Sequence, residues 1–260
     1  MNRYSTAPRM MQATSPAAGT YASSNLLLDA LPDAQYRKLE PHLELVPLQV
    51  GCVLAAPNAA LTHVYFPTTG IVSQLAELAD GRWEEVAVTG NEGMIGISAI
   101  LELGSGGAAP PRRAVVQHAA RAWRLPADFL AEQFIGDGEL QRWLLRYTQA
   151  LVTQIAQTAV CNRHHRITQQ LSRWLLVRLD RLAGCELHTT QEQIANLLGV
   201  RREGVTAAVA DLRRAELIRF KRGHVTVLDR TGLEQKACEC YAVIRKEYAR
   251  LLVHNRPPRL

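Results

Sequence analysis

No run of about eighteen apolar residues occurs in this chain of 260, so no segment reads as a membrane-spanning helix. The first 24 residues, MNRYSTAPRMMQATSPAAGTYASS, lack the apolar core of a secretion signal. They read as a disordered tail on a protein of the cytoplasm. Cysteine is sparse: Cys52, Cys161, Cys185, Cys238 and Cys240 are odd in number and scattered, which argues against a disulfide framework. Cys238 and Cys240 stand too close for an ordinary disulfide and alone are too few for a metal cage, so idle thiols are expected and no metal is assigned. Enzyme signatures are missing as well. There is no G-x-S-x-G, no H-E-x-x-H and no phosphate-binding glycine loop. The rival reading as a small β-barrel metalloenzyme would need several His and a carboxylate inside the barrel, and the strand-rich region has no H-x-H pair.

Charge is present but uneven. Residues 1–162 carry 11 Lys/Arg against 14 Asp/Glu, a net of −3, whereas residues 163–260 carry 19 against 10, a net of +9. A mildly acidic first part joined to a basic second part suits a protein that touches a polyanion with one half only.

The hydrophobic pattern changes near the same point. HVYF, GIVSQLAEL and WEEVAV are short strand-like runs divided by PTTG and ADG, and the Asp80-Gly81 pair signals a hairpin. ELGSGGAAPPRR reads as a loop before a further strand, AVVQHAARAWRL, and the whole suggests a β-roll. From Gly138, Leu140, Leu144, Tyr147, Leu151 and Ile155 recur at steps of three and four over a helix of about 24 residues, or about 35 Å. That is long for a helix packed on a small roll, and pairing with its twin in a homodimer is the expected fate of the stripe. A second helix is expected from about His165 to Leu182, ending before Gly184.

TTQEQIANLLGVRREGV, residues 189–205, carries the most specific signal. Thr189 with Glu192, and Thr190 with Gln193, fit a capping box, in which hydroxyl and amide or carboxylate satisfy each other's backbone N–H groups. Ile194, Leu197 and Leu198 form an apolar face, Gly199 marks a sharp turn, and a second helix, about 202–213, turns Val205, Val209 and Leu212 inward. Arg201, Arg202, Glu203 and Thr206 remain outside at its N-terminal end. This is the layout of a helix-turn-helix, whose second helix enters the major groove of DNA. An Arg there bonds guanine bidentately and a Glu accepts from cytosine. ELIRFKRGHVTVLD follows as two β-runs around KRGH, a wing that would bring Arg219, Lys221, Arg222 and His224 near phosphates.

These residues resemble the Crp/Fnr-type bacterial transcription regulators, over about residues 26–245. The family pattern T-x-x-x-I-A-x-x-L-G-x-S-R-E-T-V-S-R is met by Thr190, Ile194, Ala195, Leu198, Gly199, Arg202, Glu203 and Val205. The resemblance implies base-reading roles for Arg202 and Glu203; from the helix-turn-helix and wing layout, Thr190, Arg201, Thr206 and Arg222 are expected as further DNA contacts. Departures are Arg201 for the family's Ser, Gly204 for its Thr and Ala207 for its last Arg. VGCVLAAPNAALTHVYFPTTGIVSQL resembles the opening strands of the family's cyclic-nucleotide β-roll, and GMIGISAIL stands where its phosphate-binding cassette lies.

That cassette reads G-E-x-x-L in nucleotide binders and is followed by Arg-Ser or Arg-Thr. Here Ile97 follows Gly96 and no Arg-Ser occurs, although Arg112 and Arg113 are near. An apolar residue at a ribose site strands sugar hydroxyls at roughly 1–3 kcal/mol each. Cyclic AMP in the usual mode is therefore not expected. The effector, if there is one, is another molecule, and its expected lining is Gly96, Ile97, Ser98, Arg112, Arg113 and, from the long helix, Ile155. Cys52 and Cys161 alone precede the basic part, too few for the family's iron–sulfur cluster. Glu92 in GNEGMIG is a further candidate for an altered pocket. Cys161 and His165 in CNRHH share a helical face, with no third metal ligand in view.

The expected fold is α+β: tail 1–24, β-roll 25–136, dimerisation helix 137–163 with Leu140, Leu144, Tyr147, Leu151 and Ile155 at the seam, and winged helix-turn-helix 164–260. No cofactor is assigned. The expected partners are double-stranded DNA and a second copy of the chain, with RNA polymerase an open candidate. The alternative retains DNA binding but makes the β-roll only a dimerisation or docking scaffold.

Overall fold

The computed structural model describes residues 23–57, 59–101 and 112–253. The expected tail, but for Ser23 and Ser24, and most of the Gly/Pro-rich loop fall outside the described residues. Short helices α1 (Leu26–Asp29) and α2 (Asp33–Leu39) lead into a β-roll of β1 (Glu44–Leu48), β2 (Val53–Ala55), β3 (His63–Pro67), β4 (Ile71–Glu77), β5 (Trp83–Thr89), β6 (Arg112–His118) and β7 (Ala120–Pro126), with α3 (Ile97–Leu101) between β5 and β6. Its strands form two antiparallel sheets, ordered β1-β7-β3 and β2-β6-β4-β5. Asp80-Gly81 turns the β4–β5 hairpin, as its sequence signals. Asn25 ties the first helix to the roll: its Oδ1 accepts from Leu28 N, and its Nδ2 donates to the carbonyls of Pro67 and Gly93 at 2.8 and 2.9 Å.

Helix α4 (Ala127–Gly136) leads to the long α5 (Gly138–His164), 27 residues or about 40 Å. Asp137 starts α5 by accepting from the N–H groups of Glu139 and Leu140. The remainder comprises α6 (Ile167–Leu179), β8 (Glu186–His188), α7 (Gln191–Leu198), α8 (Arg202–Arg214), β9 (Ile218–Lys221), β10 (His224–Val227), α9 (Arg230–Lys236) and α10 (Glu239–Val253). Strands β8, β10 and β9 form one antiparallel sheet in that order. Among the described residues no helix is long and apolar enough to cross a membrane.

Two expectations are corrected here. Leu140, Leu144, Tyr147 and Leu151 do not wait for a second chain. They are at most 3% exposed, packed with Leu27, Phe66, Leu125 and Leu130 of their own roll, and Tyr147 Oη donates to Met94 O at 2.6 Å. Ile155 lies half-buried against the same cluster. The heptad stripe is thus spent inside the chain, because the helix has a second neighbour the pattern does not reveal. That neighbour is α10, which turns Ile244, Tyr248 and Leu251 into the same core. The C-terminal residues expected to belong wholly to the winged domain therefore pack back on the first half. A different face of α5 stays bare: Leu145, Val152 and Val160 are 47%, 51% and 45% exposed, with Ala156 and Ala159 exposed between them.

Helix α6 is the centre of the second half and is buried on every side from Gln170 to Leu179. It carries two arginines of this stretch, Arg173 and Arg178, into the interior. Arg178 Nη2 meets Glu85 Oε2 of β5 at 2.5 Å, and its guanidinium lies 3.5 Å over the Trp174 ring. Burial pulls the Arg178 guanidinium below its ordinary pKa, against the pull of the Glu85 carboxylate. One turn on, Arg181 Nε meets Glu92 Oε1 at 2.6 Å, both nearly buried. These two pairs join the winged domain to the roll.

Candidate nucleic-acid interface

The Thr190–Gln193 capping box opens α7: Thr190 Oγ1 accepts from Gln193 N at 3.1 Å, and Gln193 Oε1 accepts from Thr190 N at 2.8 Å. The alternative pair, Thr189 with Glu192, makes no such exchange; Thr189 Oγ1 faces the Thr190 carbonyl at 3.5 Å. Helix α7 ends at Gly199 in the left-handed region, φ +66°, while Val200 N reaches back to Ala195 O at 3.0 Å. The positive φ favours glycine, and a Cβ here would sit 2.6 Å from the Glu84 carboxylate of β5, which would have to shift. The turn thus rests on the roll.

Behind the turn, Ile194, Ala195 and Leu198 of α7 face Val205, Ala208, Val209 and Leu212 of α8 in one buried cluster. Every inward position expected of Val205, Val209 and Leu212 is at most 2% exposed. What that packing leaves outside is the chemistry. Arg201 is the N-cap residue of α8 and uses no side-chain cap bond; Arg202, Glu203 and Thr206 follow on the exposed face. Thr206 Oγ1 lies 2.7 Å from Gln191 Oε1 and 3.0 Å from the Arg202 carbonyl, and either oxygen can accept its single hydrogen. Gln191 was not singled out in the sequence; its part is to brace α8 against the start of α7. Gly204 is half-buried and a Cβ on it would stand 2.5 Å from Ile167 Cδ1, so this departure belongs to packing and not to the outer face. Ala207 is exposed and offers no charge where the resemblance supplies an Arg.

The wing is β9 and β10, joined at Arg222-Gly223. Arg219, Lys221, Arg222 and His224 are all exposed, around a shallow hollow shared with Glu186 and Thr226. Among the described residues no carboxylate pairs with Arg201, Arg202, Arg219, Lys221 or Arg222. Five unneutralised cations therefore ring the N-terminal end of α8 and the wing, beside the positive end of the helix dipole. Such a surface attracts a polyanion, and its exposed Arg-Glu pair has the donors and the acceptor that base edges require.

The expected effector lining is brought together only in part. Gly96, Ile97, Ser98, Arg112 and Arg113 line one cavity with Gln74 and Met94, but the space they enclose is about 60 Å³. Sites for small molecules usually measure about 300–1,000 Å³. Ile155 is not among its walls; it packs in the α5 core instead. Arg113 is engaged by Trp83, whose ring centre lies 5.4 Å from Cζ. Glu92 does not face this cavity either, being paired with Arg181 and accepting from Gly90 N. The thiols expected to be idle are not scattered in space: Cys161, Cys238 and Cys240 form a small buried cluster of their own.

Residues 169–236 match the Crp-like helix-turn-helix domain. Solved structures similar to the chain include a protein from Eubacterium rectale assigned to the Crp/Fnr family of transcriptional regulators, with TM-score 0.64 and 19% identity over 81% of this chain and 96% of that one. A CRP/FNR-family transcriptional regulator from Thermus thermophilus aligns with TM-score 0.60 and 21% identity over 75% and 98%. The c-di-GMP-responsive global regulator CLP of Xanthomonas campestris aligns with TM-score 0.59 and 15% identity over 76% and 100%. At these identities the likeness is one of fold. No curated protein sequence matches the chain. The α+β architecture expected from the sequence, a cyclic-nucleotide-binding-like roll before a winged helix-turn-helix, is the one these structures share.

Proposed function

We propose that this chain, with its Crp-like helix-turn-helix domain, is a sequence-specific DNA-binding transcription regulator that acts as a homodimer. The observation that carries the reading is the outer end of α8. Arg201, Arg202 and Glu203 stand exposed, with no ion-pair partner among the described residues, on a helix whose other face is locked by Val205, Val209 and Leu212. The helix enters the major groove, Arg202 and Glu203 read base edges, and Arg201, Thr190, Arg219, Lys221 and Arg222 engage phosphates. The bare stripe of α5, Leu145, Val152, Ala156, Ala159 and Val160, supports pairing with a second copy. Two recognition helices about 34 Å apart then meet successive major grooves of a near-palindromic site.

The small cavity at Gly96–Ser98 favours one refinement. A volume of about 60 Å³ supports the reading in which the roll serves as scaffold or docking element over one in which it encloses a cyclic nucleotide. Selection of the purified chain against a randomised DNA pool at physiological salt tests the main reading: an inverted repeat with half-sites about one helical turn apart is expected. Arg202→Ala is expected to cost about 1–3 kcal/mol at that site and little on random DNA. Equal loss on both would make Arg202 a phosphate contact; retention with no motif would leave a non-specific binder.

A further inference from the structure

Where α5 ends and the winged domain begins, four side chains from two distant stretches converge. Cys161 lies three residues before the end of α5, His165 caps that helix, and Cys238 and Cys240 flank the start of α10. One ligand atom from each lies within 4.8 Å of all the others. Cys161 Sγ and Cys238 Sγ are 3.4 Å apart, and Cys240 Sγ is 3.6 Å from His165 Nδ1. The sulfur pair is far beyond a disulfide bond of about 2.05 Å. It is close to the edge of a tetrahedron around zinc: Zn–S of about 2.3 Å and Zn–N of about 2.05 Å place two sulfurs about 3.8 Å apart, and sulfur and nitrogen about 3.6 Å.

The surroundings fit the same ion. All three thiols are at most 5% exposed. His165 points Nδ1 at the sulfurs while Nε2 meets the Glu239 carboxylate at 3.2 Å, the outer partner that orients a metal-bound imidazole. Arg173 is buried, pairs with no carboxylate among the described residues and leaves its Nε without a partner. Its charge acts on Cys161. Three thiolates around a divalent ion leave a single net negative charge, which such an arginine balances. His165 and Glu239, at 14% and 72% exposure, form the rim through which an ion enters.

We propose that Cys161, His165, Cys238 and Cys240 bind one zinc ion per chain in a tetrahedral Cys3His site. With all four positions filled by protein, it is a structural site with no open coordination position. The ion fastens the end of α5 and the α5–α6 junction to the base of α10, so it fixes the direction in which α6 leaves the first half of the molecule. A cluster with two or four irons spreads its terminal ligands over separate metals, and the mutual closeness of these four atoms suits a single ion.

The test uses the full chain, purified under reducing conditions without added chelator. Elemental analysis is expected to find one zinc per chain, and the metal-free protein to take up one Co2+ with the intense bands of tetrahedral thiolate coordination, bleached by one Zn2+. Cys240→Ser is expected to lose the stoichiometric metal, while Cys52→Ser and Cys185→Ser, at exposed cysteines, keep it. Glu239→Gln, exposed and safe for folding, is expected to keep one zinc but to bind it about 10–100-fold more weakly in competition with a chromophoric chelator. A folded wild-type chain with three reactive buried thiols and no Co2+ bands would overturn the proposal. An iron–sulfur chromophore, or a Cys161–Cys238 disulfide found by mass spectrometry in that preparation, would overturn it equally.

Discussion

Replacing Glu85 by Gln removes one charge from the junction between roll and winged domain while conserving the shape of the side chain. The carboxylate it removes is 8% exposed, accepts from Arg178 Nη2 at 2.5 Å and also receives the Ser73 hydroxyl. Arg178 is 2% exposed and has no second carboxylate among the described residues; what remains beneath it is the Trp174 ring at 3.5 Å. Breaking a buried pair from one side costs about 3–5 kcal/mol, because the surviving charge stays desolvated. The Trp174 contact persists in the variant and recovers none of that cost. With an m-value of about 2–3 kcal/mol/M for urea, the loss should move the unfolding midpoint down by roughly 1–2.5 M. Because the pair bridges two domains, the transition is also expected to split, the roll and the winged domain losing structure at separate midpoints. The assay is urea unfolding followed by far-UV circular dichroism and tryptophan fluorescence at low and high salt. The double variant Glu85→Gln with Arg178→Met should recover most of the loss, since it leaves no charge behind. A single-variant loss below about 1 kcal/mol, or one that fades with salt, is the signature of a hydrated surface pair and would refute the docking described here.

Further outcomes follow from the same packing. Leu151→Asp places a carboxylate in the α5 core at a position 3% exposed and should unfold the chain, whereas Val152→Asp, on the bare stripe, should leave circular dichroism unchanged and yield monomers in analytical ultracentrifugation. A folded Leu151→Asp monomer beside a dimeric Val152→Asp would reverse the assignment of faces. Gly199→Ala should cost about 1–2 kcal/mol through the left-handed backbone alone. Its Cβ also meets the Glu84 carboxylate, so adding Glu84→Ala should relieve part of the loss and leave the backbone share in place, as thermal unfolding of the two variants would read.

The parts of this molecule that could be read from the sequence are those that depend on near neighbours. The Thr190–Gln193 exchange spans three residues, Gly199 caps the helix it ends, and Val205, Val209 and Leu212 lie on one face by period alone. Asp80-Gly81 marks its hairpin for the same reason. The stripe on α5 was visible but its partner was not. Periodicity says that Leu144 and Leu151 must be buried; it cannot tell a second copy of the chain from α10, which arrives about a hundred residues later. Glu92 lies in a glycine-rich segment that suggested a pocket, and only the folded chain sets it against Arg181, 89 residues away. The convergence of Cys161 with Cys238 across 77 residues was hidden likewise. Each pair, C-x-C or Cys-x-x-x-His, is unremarkable by itself.

Several contacts that the sequence did not disclose bear on one junction. Glu85 holds α6 and Glu92 holds Arg181 just beyond its end, both from the roll, and Cys161, His165, Cys238 and Cys240 gather where α6 begins. The orientation of α8, which packs on α6, is set through this set of contacts. Glu92 stands four residues before Gly96 on the segment that lines the cavity, and Tyr147 pins the same segment at Met94. A ligand or partner that engages Gly96–Ser98 can alter DNA affinity only by binding two arrangements of the winged domain unequally. One physical link it has to them is the displacement of Glu92 against Arg181. Glu92→Gln should therefore weaken any response of DNA affinity that originates at Gly96–Ser98, as titration of DNA binding with and without that ligand or partner would read.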